Sequence, residues 1–177
     1  MTPYGLNTRS APLWVQSFEW TNLVDLRTAH RFRAKLVFLV SATGGPYDLR
    51  AQGTPRSYVE LVAPANLPRL AEVVDTIGAE KAVVIPRRAD GTLGEPTSFV
   101  EDVHAAGLAV TPWTFRAENS FLPVDHRVGT DPAARGRIVD EVLAFLRTGV
   151  DGVFCDQPDV CVEARDHLWA EDDSATG

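Results

Sequence analysis

Five side chains that suit the binding of a small hydroxylated anion stand at or just after the ends of short apolar segments. They are Gln16 and Phe18 with "LWVQSF", Trp113 and Arg116 with "LAVTPW", and Asp156 with "VDGVFCD". Arginine binds phosphate or carboxylate through two parallel hydrogen bonds. Tryptophan offers a flat apolar face to the carbons of a polyol or sugar. We therefore predict that these five residues contact a substrate.

Three of these residues also have a structural explanation. Trp113 is large enough to plug the mouth of a barrel, and Arg116 is placed to form a salt bridge with Glu118 or Asp156. The Asp156 carboxylate is also suited to hold the backbone amides of the turn "QPD". Glu19, next to Phe18, suits the first turn of a helix, where the helix dipole favours a carboxylate. The sequence leaves these alternatives open.

The composition is that of a single globular domain. The chain has 177 residues, 45% of them hydrophobic and 23% charged, and its net charge is −7. The acidic balance argues against nucleic-acid binding, and no apolar run is long enough to span a membrane. The N-terminal segment has no apolar stretch of the signal-peptide kind, so the cellular location is left unknown.

Five apolar segments are typical of strands buried on both faces. They lie at 13–18, 35–41, 81–86, 108–113 and 150–156. Their apolar residues are mostly continuous rather than alternating, which is the pattern of a parallel sheet covered by helices. If the strands are parallel, their carboxyl ends share one edge, and the five candidate residues converge there.

Amphipathic helices are predicted between these strands. They cover 21–30 with Thr21 as N-cap, 66–78 with Gly78 as its end, 97–107, and 131–149. The last of these buries a face formed by Ile138, Val142, Phe145 and Leu146. Two connections that follow strands, 42–65 and 114–131, are unusually long, and long loops in a compact domain are commonly functional. We predict that 42–65 is ordered and that residues 168–177 form a frayed tail.

Neither the cysteines nor the histidines form a recognisable site. Cys155 and Cys161 fit no metal or redox motif and are expected to be ordinary buried or half-buried thiols. The four histidines show no pair at the i, i+4 spacing of a zinc site. His30-Arg31 is interpreted as the basic end of a helix.

The strings "VQSFE", "WTFRAEN", "GTDPAA" and "GVDGVFCDQPD" together resemble the C-terminal half of bacterial glycerophosphodiester phosphodiesterases, in their longer and often exported branch. The resemblance runs from about Pro12 to Asp166. It implies an α/β fold that is the C-terminal portion of a TIM-type barrel, with about five of the eight strands. It also implies hydrolysis of a glycerophosphodiester to glycerol 3-phosphate and an alcohol, with calcium or magnesium as the divalent metal.

The chain departs from the family pattern in the part that performs the chemistry. The motifs "HRG", "PENT", "E-x-D" and "HD", which supply two histidines and the metal ligands, precede the matched region in the family and have no counterpart here. Thr111 replaces a histidine, and Cys155 stands where threonine is usual. The resemblance thus implies no catalytic residue and no metal ligand among these 177 residues, and we expect the isolated chain to be inactive.

Two classes of function follow from these departures. One is a phosphodiesterase that needs its missing N-terminal half, and the alternative is a non-catalytic partial barrel that binds a ligand or partner. A barrel removes its strand edges by closing, which five strands cannot do. We therefore expect the chain to self-associate or to bind the missing half. A glycosidase-like pair of Glu19 and Asp156 is a third and weaker hypothesis.

Overall fold

A parallel sheet is the framework of the fold. The computed structural model of the protein describes residues 4–175. The strands, in the spatial order β1-β2-β3-β4, are β1 Trp14–Ser17, β2 Lys35–Val40, β3 Thr76–Ala79 and β4 Ala109–Val110. All three strand pairs are parallel, which confirms the predicted α/β class and fits a partial TIM-type barrel.

Eight α-helices are described. They are α1 Trp20–Thr28, α2 Tyr47–Ala51, α3 Tyr58–Leu61, α4 Leu67–Ala71, α5 Lys81–Val84, α6 Phe99–Ala105, α7 Ile138–Leu146 and α8 Pro158–Ala175. The long segment 42–65 is ordered, as predicted, because it contains α2 and α3, and a capping box between Ser57 and Glu60 begins α3.

The third strand is β3, and the prediction of a strand at 81–86 is wrong. Gly78 is a strand residue and not the end of a helix. A Cβ at this position would lie 2.5 Å from Leu39 Cδ2 and 3.0 Å from Val37 Cγ1, so glycine lets the side chains of β2 pack against β3. The helix predicted over 66–78 is correspondingly short, and "KAVVIP" begins with the single turn α5. A short apolar run does not by itself distinguish a strand from a buried helical turn.

The segment 150–156 does not form the predicted strand. Backbone hydrogen bonds join it to 112–115: Phe154 N to Pro112 O, Phe115 N to Phe154 O, and Asp156 N to Phe115 O. Only one bridge results, parallel, between Phe115 and Cys155. Pro112 has no N–H to extend the pairing backwards, and α8 begins at Pro158. The pairing therefore stops after one bridge.

The chain divides into two compact units, where the sequence predicts one domain over 1–177. Unit 1 comprises Met1–Glu80 and Glu101–Val110, and unit 2 comprises Lys81–Val100 and Thr111–Gly177. The whole four-stranded sheet belongs to unit 1, whose core includes Leu23, Leu36, Phe38, Ile77 and Val110. The core of unit 2 includes Val84, Phe115, Ile138, Val142, Phe145 and Val160. Within unit 2, α7 packs against α8.

Arg27, on α1, ties together several loops of unit 1. Its Nε donates to Val73 O at 2.7 Å. Its Nη1 donates to Phe32 O at 2.7 Å and to Ala34 O at 3.2 Å, and its Nη2 forms an ion pair with Asp75 at 2.7 Å. The Asp75 carboxylate also accepts from Leu36 N at 2.9 Å. One side chain thus holds the segments that lead into β2 and β3.

Cys155 and Cys161 form a disulfide bond, so the prediction of two free thiols is wrong. Their spacing of six residues gives no recognised motif, but the chain bends at 156–157 before α8 begins, and the two Cα atoms lie 6.5 Å apart, within the normal range for a disulfide. The bond joins the start of α8 to the segment that carries Asp156.

Removal of this disulfide is expected to lower the free energy of unfolding by about 2 kcal/mol, as expected for closing a loop this short. The double variant Cys155→Ser/Cys161→Ser and the reduced wild type should melt alike, both below the oxidised protein. Circular dichroism with and without reductant measures this. A melt of the wild type that reductant leaves unchanged, under conditions that open the bond, would contradict the expectation.

The last helix, α8, continues through Ala175, and residues 176–177 lie outside the described part of the chain. Fraying of residues 168–177 stays a prediction. On this helix the Arg165 guanidinium lies 4.6 Å from the centre of the Trp169 ring.

Candidate functional site

Three of the five predicted site residues lie in unit 2, on the backbone pairing of 112–115 with 154–156. Arg116 Nε donates to Asp156 Oδ2 at 2.7 Å, and the pair is partly exposed, at 40% and 48% of the side-chain surface. The Arg116 guanidinium lies 4.6 Å from the centre of the Phe121 ring. Trp113 is half-buried. Of the two salt bridges predicted as alternatives for Arg116, to Glu118 or to Asp156, the structure contains the one to Asp156.

The turn after Asp156 is held by a neighbouring side chain. Gln157 Oε1 accepts from Ala117 N at 3.1 Å, so it is Gln157, and not Asp156, that fixes a backbone amide here. The Asp156 carboxylate instead orients the Arg116 guanidinium. With Nε used by Asp156, the Nη atoms of Arg116 are the part of its donor fork left to meet an anion.

Lys81 and Glu141 add a buried ion pair to the same unit. Lys81 Nζ lies 2.7 Å from Glu141 Oε1, and the two side chains are 15% and 1% exposed. Lys81 Nζ also lies 5.0 Å from the centre of the Phe115 ring, and Lys81 N donates to Trp113 O at 3.1 Å. The pair is therefore attached to the backbone segment that carries Trp113 and Arg116.

The surroundings of this pair oppose its charges. Burial lowers the pKa of Lys81 below its usual value, against the attraction of Glu141, and the positive charges of Arg87 and Arg116 act in the same direction as burial. Burial raises the pKa of Glu141, against the attraction of Lys81. Glu141 Oε2 is buried without a hydrogen-bond partner. Burial therefore disfavours the charged forms of Lys81 and Glu141, and their mutual attraction favours them.

Sequence analysis missed both residues, although Glu141 carries a signal. It lies three residues after Ile138 and four before Phe145, on the buried face of α7, where an unpaired carboxylate is costly. A charged residue on such a face indicates a buried partner. Lys81 carries no such signal, because it begins the apolar run 81–86, whose pattern predicts a strand.

The other two predicted residues, Gln16 and Phe18, lie in unit 1 at the carboxyl end of β1. Both are exposed. Phe18 forms an edge contact with Tyr58 at 6.2 Å between ring centres, and Tyr58 Oη donates to Phe18 O at 3.3 Å. Burial raises the pKa of Tyr58, helped by the negative charges of Glu19 and Asp48.

Glu19 and Asp48 begin helices rather than face an open site. Glu19 precedes α1, as its structural explanation predicts, and its Oε2 accepts from Asp48 N at 2.6 Å. Thr21 is not the N-cap of α1. Its N–H donates to Asp48 Oδ2 at 2.5 Å, and its hydroxyl donates to the same oxygen. Burial acts to raise the pKa of Asp48, but the hydrogen bonds from Thr21 and Leu49 lower it below its usual value.

The parallel sheet and the helices that follow its strands define a class: an α/β fold consistent with part of a TIM-type barrel. The profile of the Glycerophosphoryl diester phosphodiesterase family matches residues 5–160. The chain belongs to this family. This confirms the resemblance at the level of the family.

A curated relative supports the same assignment. The chain is 28% identical over 145 residues to Glycerophosphodiester phosphodiesterase GDPD6 of Arabidopsis thaliana, which covers 82% of this chain and 35% of the relative. The chain thus spans about a third of the length of that relative. Among the helices of residues 4–175, none is long and apolar enough to cross a membrane.

The family is generally metal-dependent. Within residues 4–171, whose side chains the structure describes, no group of three or more His, Cys, Asp or Glu side chains is placed to hold a metal ion. The Glu19 and Asp48 carboxylates accept hydrogen bonds from Thr21, from Leu49 and from the amide of Asp48 itself. These residues do not fit a metal centre.

Proposed function

We propose that residues 1–177 are part of a glycerophosphodiester phosphodiesterase, which hydrolyses glycerophosphodiesters to glycerol 3-phosphate and an alcohol, and that Trp113, Arg116 and Asp156 of unit 2 contact its substrate. Membership of the family supports the reaction class. The observation that supports the binding role is the Arg116–Asp156 pair beside Trp113, which presents an oriented cation and a half-buried ring in one unit.

Each proposed contact has a chemical role. Arg116 binds a phosphate oxygen through its Nη atoms, with Asp156 fixing the plane of the guanidinium. Trp113 packs against the carbons of the glycerol group or of the alcohol. In unit 1, Gln16 offers an amide that donates to or accepts from a hydroxyl group, and Phe18 offers an exposed ring.

We propose further that residues 1–177 do not catalyse the reaction alone. Cleavage of a phosphodiester needs a general acid and base and a stabilised phosphoryl charge. His126 Nε2 lies 3.8 Å from Asp125 Oδ2, beyond hydrogen-bonding distance, and His126 Nδ1 is buried without a partner, so this histidine is not arranged as such a group. The histidines and metal ligands of the family would come from a polypeptide segment outside these residues.

The 177-residue chain is expected to release no glycerol 3-phosphate from glycerophosphocholine, glycerophosphoethanolamine or glycerophosphoglycerol. Coupled detection of glycerol 3-phosphate with added calcium or magnesium measures this, and a chelator gives the matched blank. Metal-dependent turnover that the chelator abolishes would show that the chain is a complete enzyme.

We also expect the chain to associate, either with itself or with a segment that completes the barrel. Within unit 1, β1 is an outer strand, and its Trp14 side chain is 47% exposed beneath Lys35 Nζ, which lies 4.3 Å from the ring centre. An open strand edge is a template for pairing. Sedimentation velocity over a range of concentrations tests this. A monomer at all concentrations with a cooperative melt above about 50 °C would count against it.

A further inference from the structure

A pocket lies in unit 1, partly walled by the long segment 42–65, to which the proposed function assigns no role. Its volume is about 380 Å³, within the range in which proteins bind small molecules. Side chains from four helices line it. They include Trp20 of α1, Leu49 of α2, Leu61 of α3, and Arg69 and Leu70 of α4, together with Arg56 from the loop between α2 and α3. The segment 42–65 therefore contributes to a cavity as well as linking β2 to α4.

The apolar part of the pocket is fixed by packing. The Leu49, Leu61 and Leu70 side chains are buried in the core of unit 1. Trp20 is half-buried, and its ring forms an edge contact with Phe38 at 5.4 Å between ring centres. A ligand that enters therefore meets apolar side chains that are already in place, and it displaces water from them.

Two arginine side chains give the same pocket a positive charge. Arg56 and Arg69 are exposed, and among residues 4–171, whose side chains the structure describes, no carboxylate lies within ion-pair distance of either guanidinium group. The charge of Arg56 acts on Glu60, but that carboxylate accepts from Ser57 N at 2.7 Å and from Ser57 Oγ at 2.9 Å in the capping box of α3. The described lining thus combines an apolar surface with two cations that no carboxylate contacts.

We propose that this pocket binds a monocarboxylate with a short aliphatic chain. A carboxylate has about four acceptor sites on its oxygens, so a single one accepts from both Arg56 and Arg69. The aliphatic chain lies against Leu49, Leu61 and Trp20. Inorganic phosphate would use the arginines but leave the apolar side chains in water, and a neutral chain would do the reverse. An apolar carboxylate is the ligand that uses both parts of the lining.

The pocket is tested by titrating the 177-residue chain with octanoate, acetate, octanol and octylamine while its ¹⁵N spectrum is recorded. We expect octanoate to bind with a Kd of about 1 mM or lower, with shifts centred on Leu49, Leu61 and Leu70. Acetate lacks the aliphatic chain and should bind about tenfold more weakly or not at all. Octanol lacks the charge and should bind several times more weakly. Octylamine carries the opposite charge and should not bind measurably.

The variant Arg56→Gln/Arg69→Gln should weaken octanoate binding about tenfold and leave octanol binding unchanged, because it removes the charges and keeps the apolar lining. Both side chains are exposed, so the variant should fold like the wild type. Arg31→Gln/Arg33→Gln is the matched control. It removes two other exposed arginines of unit 1, which do not line the pocket, and gives the same net charge. It should change octanoate binding less than about twofold.

The proposal is overturned if octanoate does not bind the folded wild type, or if it shifts only residues outside the pocket. It is also overturned if octanol or acetate binds as tightly as octanoate, since the arginines or the apolar side chains would then have no role. Inorganic phosphate that shifts the pocket residues as strongly as octanoate does would overturn it for the same reason. Equal weakening by the two double variants would indicate an effect of overall charge and not of this pocket. None of these results bears on the proposed function, which rests on Trp113, Arg116 and Asp156 of unit 2.

Discussion

Replacing Lys81 with methionine is expected to lower the free energy of unfolding by about 3–5 kcal/mol at neutral pH, the usual cost of leaving one member of a buried ion pair alone. The Glu141 side chain is 1% exposed, and Lys81 Nζ is the hydrogen-bond partner of its Oε1. Methionine keeps much of the volume and the contact with Phe115 but not the charge. Urea unfolding at several pH values measures the effect.

The pH dependence of the free energy of unfolding shows whether the unpaired Glu141 carboxylate causes the destabilisation. Burial already raises the pKa of Glu141, and loss of Lys81 removes the main attraction that opposes this. A carboxyl group whose pKa is higher in the folded than in the unfolded state stabilises the fold below the unfolded value, about 4.3. This stability is lost as the pH rises through the folded pKa. The Lys81→Met variant should therefore recover toward the wild type as the pH falls from 7 to about 5.

The control is the double variant Lys81→Met/Glu141→Gln, which should be clearly more stable than the single variant at pH 7, because removal of both partners leaves no buried charge. If the single variant is equally destabilised at pH 5 and pH 8, or the double variant is as unstable as the single one, the unpaired carboxylate is not the cause.

Replacing Arg27 with alanine should lower the free energy of unfolding by about 3–5 kcal/mol, because it leaves several hydrogen-bond acceptors without a donor. Each buried acceptor without a partner costs about 1–3 kcal/mol, and water that hydrogen-bonds to some of them reduces the total. The guanidinium serves the carbonyl oxygens of Val73, Phe32 and Ala34 and the carboxylate of Asp75, and its side chain is 18% exposed. Urea unfolding followed by tryptophan fluorescence gives the free energy.

Two variants control for charge and for side-chain truncation. Arg27→Lys keeps the charge but cannot serve all four acceptors, so it should fall between the alanine variant and the wild type. Arg165→Ala removes an exposed arginine that contacts its neighbour Asp166 and the Trp169 ring, and it should change the free energy by no more than about 1 kcal/mol. Equal effects of Arg27→Ala and Arg165→Ala would mean that water satisfies the freed acceptors.

Sequence patterns predict the parts of this fold that bury continuous apolar runs. β1, β2 and the helices α1 and α7 follow from such runs and their periodicity, and the parallel pairing follows from their alternation along the chain. The third strand is not predicted, because "TIGA" is short and contains a glycine. Glycine is required at position 78 because the side chain of Leu39 on the neighbouring strand leaves no space for a Cβ atom. A contact between residues 39 positions apart leaves no trace in a local pattern.

The candidate site likewise contains residues that the sequence predicts and residues that only the structure shows. Trp113, Arg116 and Asp156 are predicted from their positions after apolar segments, and the structure joins two of them in one ion pair. Gln16 and Phe18 lie in unit 1, where Phe18 contacts Tyr58. Their contact with substrate stays a prediction. Lys81 and Glu141 are 60 residues apart, so no local sequence pattern indicates that they pair. The disulfide depends on the path of the chain between Cys155 and Cys161, and their spacing alone does not predict it.

The order of the units along the chain has a consequence for synthesis. The polypeptide leaves unit 1 after Glu80, returns to it at Glu101 and leaves it again after Val110. β4 pairs with β3 across this excursion, Thr76 opposite Ala109 and Ile77 opposite Val110. A ribosome that adds about 5–20 residues per second therefore produces the first segment of unit 2 before the sheet of unit 1 can gain its last strand. Neither unit can be cut out as one continuous piece, and a nascent chain that stops short of Val110 exposes β3 as an unfinished edge.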